Sequence, residues 1–221
     1  MSTTTDTTTS RLTADDIDDL IYACRTGNLE WLSELVTAWS AQLSISESQV
    51  ITSAIDIDDE GLGSRSCLLH YPAANGNLEI MTYLLDRIST SPPSAVSAND
   101  AQTNGTSTTS KTEEEHRRFV NTQNVNGNTP LHWAALNGHI EVVKALVKAG
   151  ADPTIVNEAG RDAVVEAEYS SKESAAECAN WLLKECEILE RGTGSQIQEG
   201  QADADAGEES MDVERATDGA H

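Results

Sequence analysis

Residues Asn126 to Asp152 constrain the fold of this chain more than any other stretch. They read Asn-Gly-Asn-Thr-Pro-Leu-His-Trp-Ala-Ala-Leu-Asn-Gly-His, then Ile-Glu-Val-Val-Lys-Ala-Leu-Val-Lys-Ala-Gly-Ala-Asp. The pattern predicts two short helices back to back. Thr129 is a good N-cap, and Pro130 stands where a missing N–H costs nothing. Gly138 ends the first helix after about two turns. Ile140, Val142, Val143, Leu146 and Val147 then place an apolar stripe on one face of a second helix, which Gly150 ends. Such a pair cannot bury its apolar face alone, so it needs neighbours of its own kind.

The stretch resembles the ankyrin-repeat consensus, Thr-Pro-Leu-His-x-Ala within a 33-residue period. Weaker copies flank it. Near the start, Gly27 takes the place of Gly138, Ala23 of Ala134, Leu29 of Ile140 and Leu35 of Leu146, with an acidic run (Asp15, Asp16, Asp18, Asp19) in place of Thr-Pro. Terminal repeats are atypical because one face meets water. In a second copy His70, Gly76 and Leu84 align with His132, Gly138 and Leu146. There Cys67-Leu68 replaces Thr-Pro, and Pro72 falls inside the first helix. An interior proline costs about 3 kcal/mol unless the helix kinks or starts late, so a distorted helix is expected. In a fourth copy Gly160 replaces Gly127 and Asp162 serves as N-cap.

The fold expected is all-α: an ankyrin-repeat solenoid of about four helix pairs with hairpin loops, spanning 13–190. The repeats fall near 14–37, 64–88 together with 119–125, 126–158 and 159–190. The spacing is irregular. Gly27 and Gly76 stand 49 residues apart, 16 more than one period, and Gly76 and Gly138 stand 62 apart, 29 beyond it. The excess is expected as long loops at 38–63 and 89–118, the second rich in Ser, Thr, Asn and Pro. Residues 1–12 read as a disordered leader and 191–221 as a disordered acidic tail.

The chain carries 37 acidic and 14 basic residues, a formal net charge of -23. Direct nucleic-acid binding is disfavoured, because neutralising phosphates needs Lys and Arg, and so is an anionic membrane surface. A basic protein partner is favoured. The Ser/Thr-rich start predicts no secretory leader, and no run approaches the length of a membrane-spanning helix. The four cysteines lack metal-knuckle or redox spacing, so a reduced intracellular chain is expected. No phosphate loop or nucleophile elbow appears, and acid pairs such as Glu166 and Glu168 face no partner base. His70 and His132 repeat once per unit along the stack rather than converging, which suits hydrogen bonding between repeats. No catalytic residue, metal ligand or cofactor is therefore expected.

Binding is expected at positions the repeat pattern leaves free, on the concave face and hairpins. These are Val125, Asn126 and Asn128 in the hairpin, and Leu136 and Asn137 at the end of the inner helix. Their counterparts are Ala74 and Asn75, Arg25 and Thr26, and Tyr169. Glu166 and Trp133 complete the set. Trp133 is open to two readings, packing between repeats or contact with a partner.

The details go beyond a generic repeat. Phe119-Val120-Asn121 leads into Gly127-Asn128-Thr129, Leu131-His132-Trp133-Ala134 and Leu136-Asn137-Gly138. Ala151-Asp152-Pro153 follows, then Gly160-Arg161-Asp162-Ala163 with Glu166-Ala167-Glu168. Over about residues 12–190 the chain resembles the fungal ankyrin-repeat family of ribosome assembly, the dedicated chaperone of small-subunit ribosomal protein three. It departs from that family at Pro72 and in its two insertions. The resemblance implies a non-enzymatic chaperone, a monomer when free, in cytoplasm and nucleus. It would bind and shield a basic KH-domain protein of the subunit head before assembly, with the client's N-terminal helical part against the concave repeats. The alternative is a generic ankyrin scaffold or inhibitor of a non-ribosomal partner. A less selective chaperone of basic nuclear proteins is a further competitor.

Overall fold

The computed structural model describes residues 11–57, 60–89 and 107–193, with side chains described for 113–185 of the last segment. The leader through residue 10, the tail from 194 and the middle of the second insertion lie outside the described residues. Ten helices are described: α1 (Ala14–Thr26), α2 (Leu29–Leu43), α3 (Glu47–Ser53), α4 (His70–Asn75), α5 (Leu78–Ser89), α6 (Ser107–Val120), α7 (Pro130–Asn137), α8 (Ile140–Lys148), α9 (Ala163–Tyr169) and α10 (Glu173–Thr193).

Local signals set each repeat. Thr13 and Asp16 form a capping box on α1, satisfying two N–H groups that have no helical partner. Gly27, Gly76 and Gly138 end α1, α4 and α7 in the left-handed region, at φ of 74°, 74° and 76°. At Gly138 a Cβ would also run into Ser174 and lie 2.8 Å from Ala175 N, so the glycine lets the next repeat close in. The helices then stack in two rows. The inner row runs α1, α4, α7, α9, and the outer row holds α2, α3, α5, α8 and α10. Leu20, Leu32, Leu69, Ile80, Met81, Leu84, Leu131, Leu146 and Leu182 are buried between the rows. Small Ala23, Ala73, Ala134 and Ala167 let the inner helices approach.

Pro72 behaves as its backbone chemistry demands. The helix begins at His70, two residues later in the repeat than α7. Pro72 then lies in the first turn, where its missing N–H would have no helical partner.

Four expectations about boundaries are corrected. The stretch 38–63 is not a loop: α2 continues to Leu43, and α3 follows after a capping box of Ser46 and Gln49. Val50 and Ile51 of α3 are fully buried, and the helix packs on both α2 and α5. Seven residues are too few to display a helical period, which hid it. The stretch 89–118 contains most of α6, whose apolar anchors Phe119 and Val120 come only at its end. Leu12, assigned to the leader, is buried in the core. Helix α10 continues to Thr193, past the expected start of the tail.

Hairpin fingers project from the N-terminal ends of the inner helices and form a ladder. Val125 N–H donates to Ser64 O (2.9 Å), and Glu158 N–H donates to Asn126 O (3.0 Å). In the third and fourth fingers Asn124 and Asn157 side chains accept from N–H groups two and four residues on, at 3.0 Å each. In the second finger Asp56 takes this role across six additional residues, 57–62. Its N–H donates to Ser66 O and its carbonyl accepts from Arg65 N–H, both at 2.9 Å. Arg65 occupies the position of Gly127 and is held at φ 54°, a left-handed conformation costing about 1–2 kcal/mol for a side chain.

Candidate protein-binding site

The concave face is built from the open sides of the inner helices and from the fingers. His132 and His70 fix its geometry. His132 Nδ1 accepts from Thr129 N–H (3.2 Å), so its Nε2 carries the proton and donates to Arg161 O at 3.0 Å. His70 repeats the arrangement, accepting from Cys67 N–H (3.1 Å) and donating to Asn128 O (3.0 Å). Each histidine thus ties one repeat to the next finger. Burial pushes the His70 imidazole down to about 4 and lowers that of His132, so both tie the repeats as neutral rings. Among the described residues no group of three or more His, Cys, Asp or Glu is placed to hold a metal ion.

The expected binding residues divide into three sets. Arg25 and Thr26 lie beside Asn75 in a shallow cleft between the first two repeats, which Leu78 and Glu79 also line. Asn75 Nδ2 donates to Arg25 O (3.0 Å), and the Arg25 guanidinium lies 5.9 Å from the Tyr71 ring centre. Ala74 is half-buried, its carbonyl accepting from His139 Nε2 (3.1 Å). On the third repeat Trp133, Leu136 and Asn137 are half-buried, with Trp133 packed against the core while part of it stays open. Asn137 accepts from Lys172 Nζ (2.8 Å) and donates to Trp133 O (2.9 Å), which fixes its amide. Val125, Asn126 and Tyr169 are exposed, Tyr169 to 73%.

Two of the expected residues are engaged within the stack. Glu166 is only 7% exposed. Its carboxylate accepts from Asn157 Nδ2 (2.6 Å) and Arg161 Nε (2.9 Å), closing the last finger. The Asn128 side chain accepts from Asn157 Nδ2 (2.8 Å), and its carbonyl takes the His70 bond. Both residues build the stack, because the last described finger is braced from within its own repeat and from the finger before.

Sequence reasoning passed over other surface residues. Leu62 (61% exposed) and Val156 (52%) are apolar residues exposed on the second and fourth fingers, as the expected Val125 (41%) is on the third. Tyr22 is 60% exposed on α1. Tyr71 donates to Asp56 Oδ2 (3.2 Å), an oxygen that Ser64 N–H (3.3 Å) and the Ser64 hydroxyl also engage. Burial first and the Asp56 carboxylate second push the Tyr71 phenol up. Tyr22 and Tyr71 had a signal: each stands five residues before a helix-ending glycine, as Trp133 does.

The comparisons agree with this architecture. Residues 20–191 match the model for ankyrin repeats in three copies. The yeast (Saccharomyces cerevisiae) ankyrin repeat-containing protein YAR1 is 30% identical over 178 residues, covering 80% of this chain and 72% of YAR1. Alpha-latrocrustotoxin-Lt1a of Latrodectus tredecimguttatus is 43% identical over 63 residues, 28% of this chain but 4% of the toxin. A chain of the crystal structure of the yeast ribosomal protein Rps3 in complex with its chaperone Yar1 aligns with a TM-score of 0.57 and 32% identity. That alignment covers 79% of this chain and 95% of the solved one. The chain described here belongs to the ankyrin-repeat proteins, in the family of yeast YAR1.

Proposed function

We propose that this chain is a non-enzymatic, dedicated chaperone. It binds and shields the basic small-subunit ribosomal protein corresponding to Rps3 before that protein joins the ribosome. The observation that carries the reading is the likeness to YAR1 along 72% of its length, joined to the likeness to a chain of the Rps3–Yar1 complex. The physical logic agrees. A ribosomal protein outside the ribosome exposes a basic RNA-binding surface. A solenoid within a chain of net charge -23 offers a complementary field and a rigid concave surface. The chaperone acts as a monomer, in cytoplasm and nucleus, where its client is made and assembled.

Size-exclusion chromatography of the purified chain with the Rps3 counterpart of the same organism tests the reading. A complex is expected at low salt and should weaken as salt rises. No complex at low salt would sink it. Tight binding of a neutral partner, insensitive to salt, would favour a generic scaffold.

A further inference from the structure

The second finger keeps a side chain where the other two have none. Gly127 and Gly160 hold the turns of the third and fourth fingers at φ 74° and 71°. The same position in the second finger is Arg65, at φ 54°. Glycine enters the left-handed region freely, whereas a side chain there crowds its own backbone. Among the described residues Ser44 is the other non-glycine at positive φ, and it ends α2 as a C-cap. Arg65 ends no helix. Its N–H donates to Asp56 O (2.9 Å), a bond that glycine would make equally well. The Asp56 carboxylate is engaged by Ser64 and Tyr71. Arg65 is exposed, and its guanidinium has no hydrogen bond or ion pair among the described residues. Exposed Leu62 precedes it by three residues, and exposed Val125 stands on the next finger, its N–H bonded to Ser64 O.

We propose that Arg65 is a specificity-determining contact, whose guanidinium takes an Asp or Glu carboxylate of the bound client. The inference rests on the chaperone reading for the identity of that client. A planar guanidinium fits a carboxylate with two parallel hydrogen bonds. Apolar neighbours that exclude water are the setting in which an interface arginine contributes most. The net charge of -23 draws in any basic surface without selecting its register. One cation on a finger repels bases there and accepts a client that places an acid opposite it. The same field opposes phosphate, which favours a protein carboxylate over RNA. The strained turn is kept for the side chain it presents.

The test pairs the Tm of the free full chain with calorimetry against the Rps3 counterpart. Arg65→Gly should raise the Tm by about 2–4 °C and weaken the client about tenfold. Arg65→Lys keeps the charge but loses the fork, so it should weaken binding about threefold at unchanged Tm. Arg65→Glu should weaken binding further, and replacing client acids one at a time by Lys should find one position that restores it. A raised Tm with unchanged affinity in Arg65→Gly overturns the contact. A lowered Tm shows that the arginine serves its own finger, and also overturns it. Binding of a twelve-residue oligouridine by the parent, lost in Arg65→Gly, makes it a phosphate contact and overturns the carboxylate. No complex between parent and client would overturn the chaperone reading, whereas a complex that Arg65→Gly leaves intact overturns this contact alone.

Discussion

His70 shows how a single residue carries the stack. It is 3% exposed, accepts from Cys67 N–H, and donates across 58 positions of sequence to Asn128 O. Protonation would place a second proton on Nδ1, against a donor, in a buried site. The folded value of about 4 lies below the ordinary 6.5, so the unfolded chain binds the proton more readily. The stability this residue contributes is complete above pH 6.5 and is lost as pH falls from there toward 4. Going from pH 7 to 5 should remove about 2 kcal/mol through His70 alone. Urea titrations at the two pH values measure the loss, and His70→Gln should abolish that share of it. An unchanged midpoint in the parent protein would contradict the neutral-tie account. The histidines were legible in the sequence because the repeat motif puts each three residues after the position of Thr129, at the start of its inner helix. Glu166 was not: nothing in Glu-Ala-Glu tells which acid turns in toward Asn157 and Arg161 and which stays exposed.

At the scale of elements, the regular repeats could be read directly and the insertions could not. Thr129, Pro130 and Gly138 state where α7 starts and stops, so local chemistry and tertiary packing agree there. Helix α3 states little by itself. Its capping box is visible in Ser46 and Gln49, but its existence depends on Val50 and Ile51 finding α2 and α5. A seven-residue helix is not stable alone, so its fold is decided by burial rather than propensity. Helix α3 stands between α2 and α5 in the outer row, while α1 and α4 still touch in the inner row. The exposed Glu47–Arg87 pair at 3.2 Å adds at most about 1 kcal/mol, so the apolar contact dominates. Ile51→Ala should cost about 2–5 kcal/mol, read as a lower urea midpoint by circular dichroism, whereas Glu47→Ala should cost under about 1 kcal/mol. Similar costs for the two would show that α3 is a surface ornament rather than part of the core.

The whole molecule joins a rigid, modular frame to a strong negative field. Its histidines are used as ties, and its buried Cys24 and Cys67 thiols are pushed up by burial, away from thiolate chemistry. What remains is surface: half-buried aromatics on the floor, exposed apolar residues on the fingers at Leu62, Val125 and Val156, and acid around them. Net charge was legible from composition alone, and the floor aromatics from their register. The way Asp56 rebuilds the second finger needed coordinates, because six extra residues separate partners that elsewhere lie two apart. If the account is right, the field and the frame together keep a basic ribosomal protein soluble where polyanions would aggregate it. Light scattering of the Rps3 counterpart mixed with RNA at low salt, with and without an equimolar amount of this chain, tests that claim most directly. The account predicts that the chain suppresses scattering and that added salt erodes the protection. Unchanged aggregation in the presence of the folded chain would contradict it.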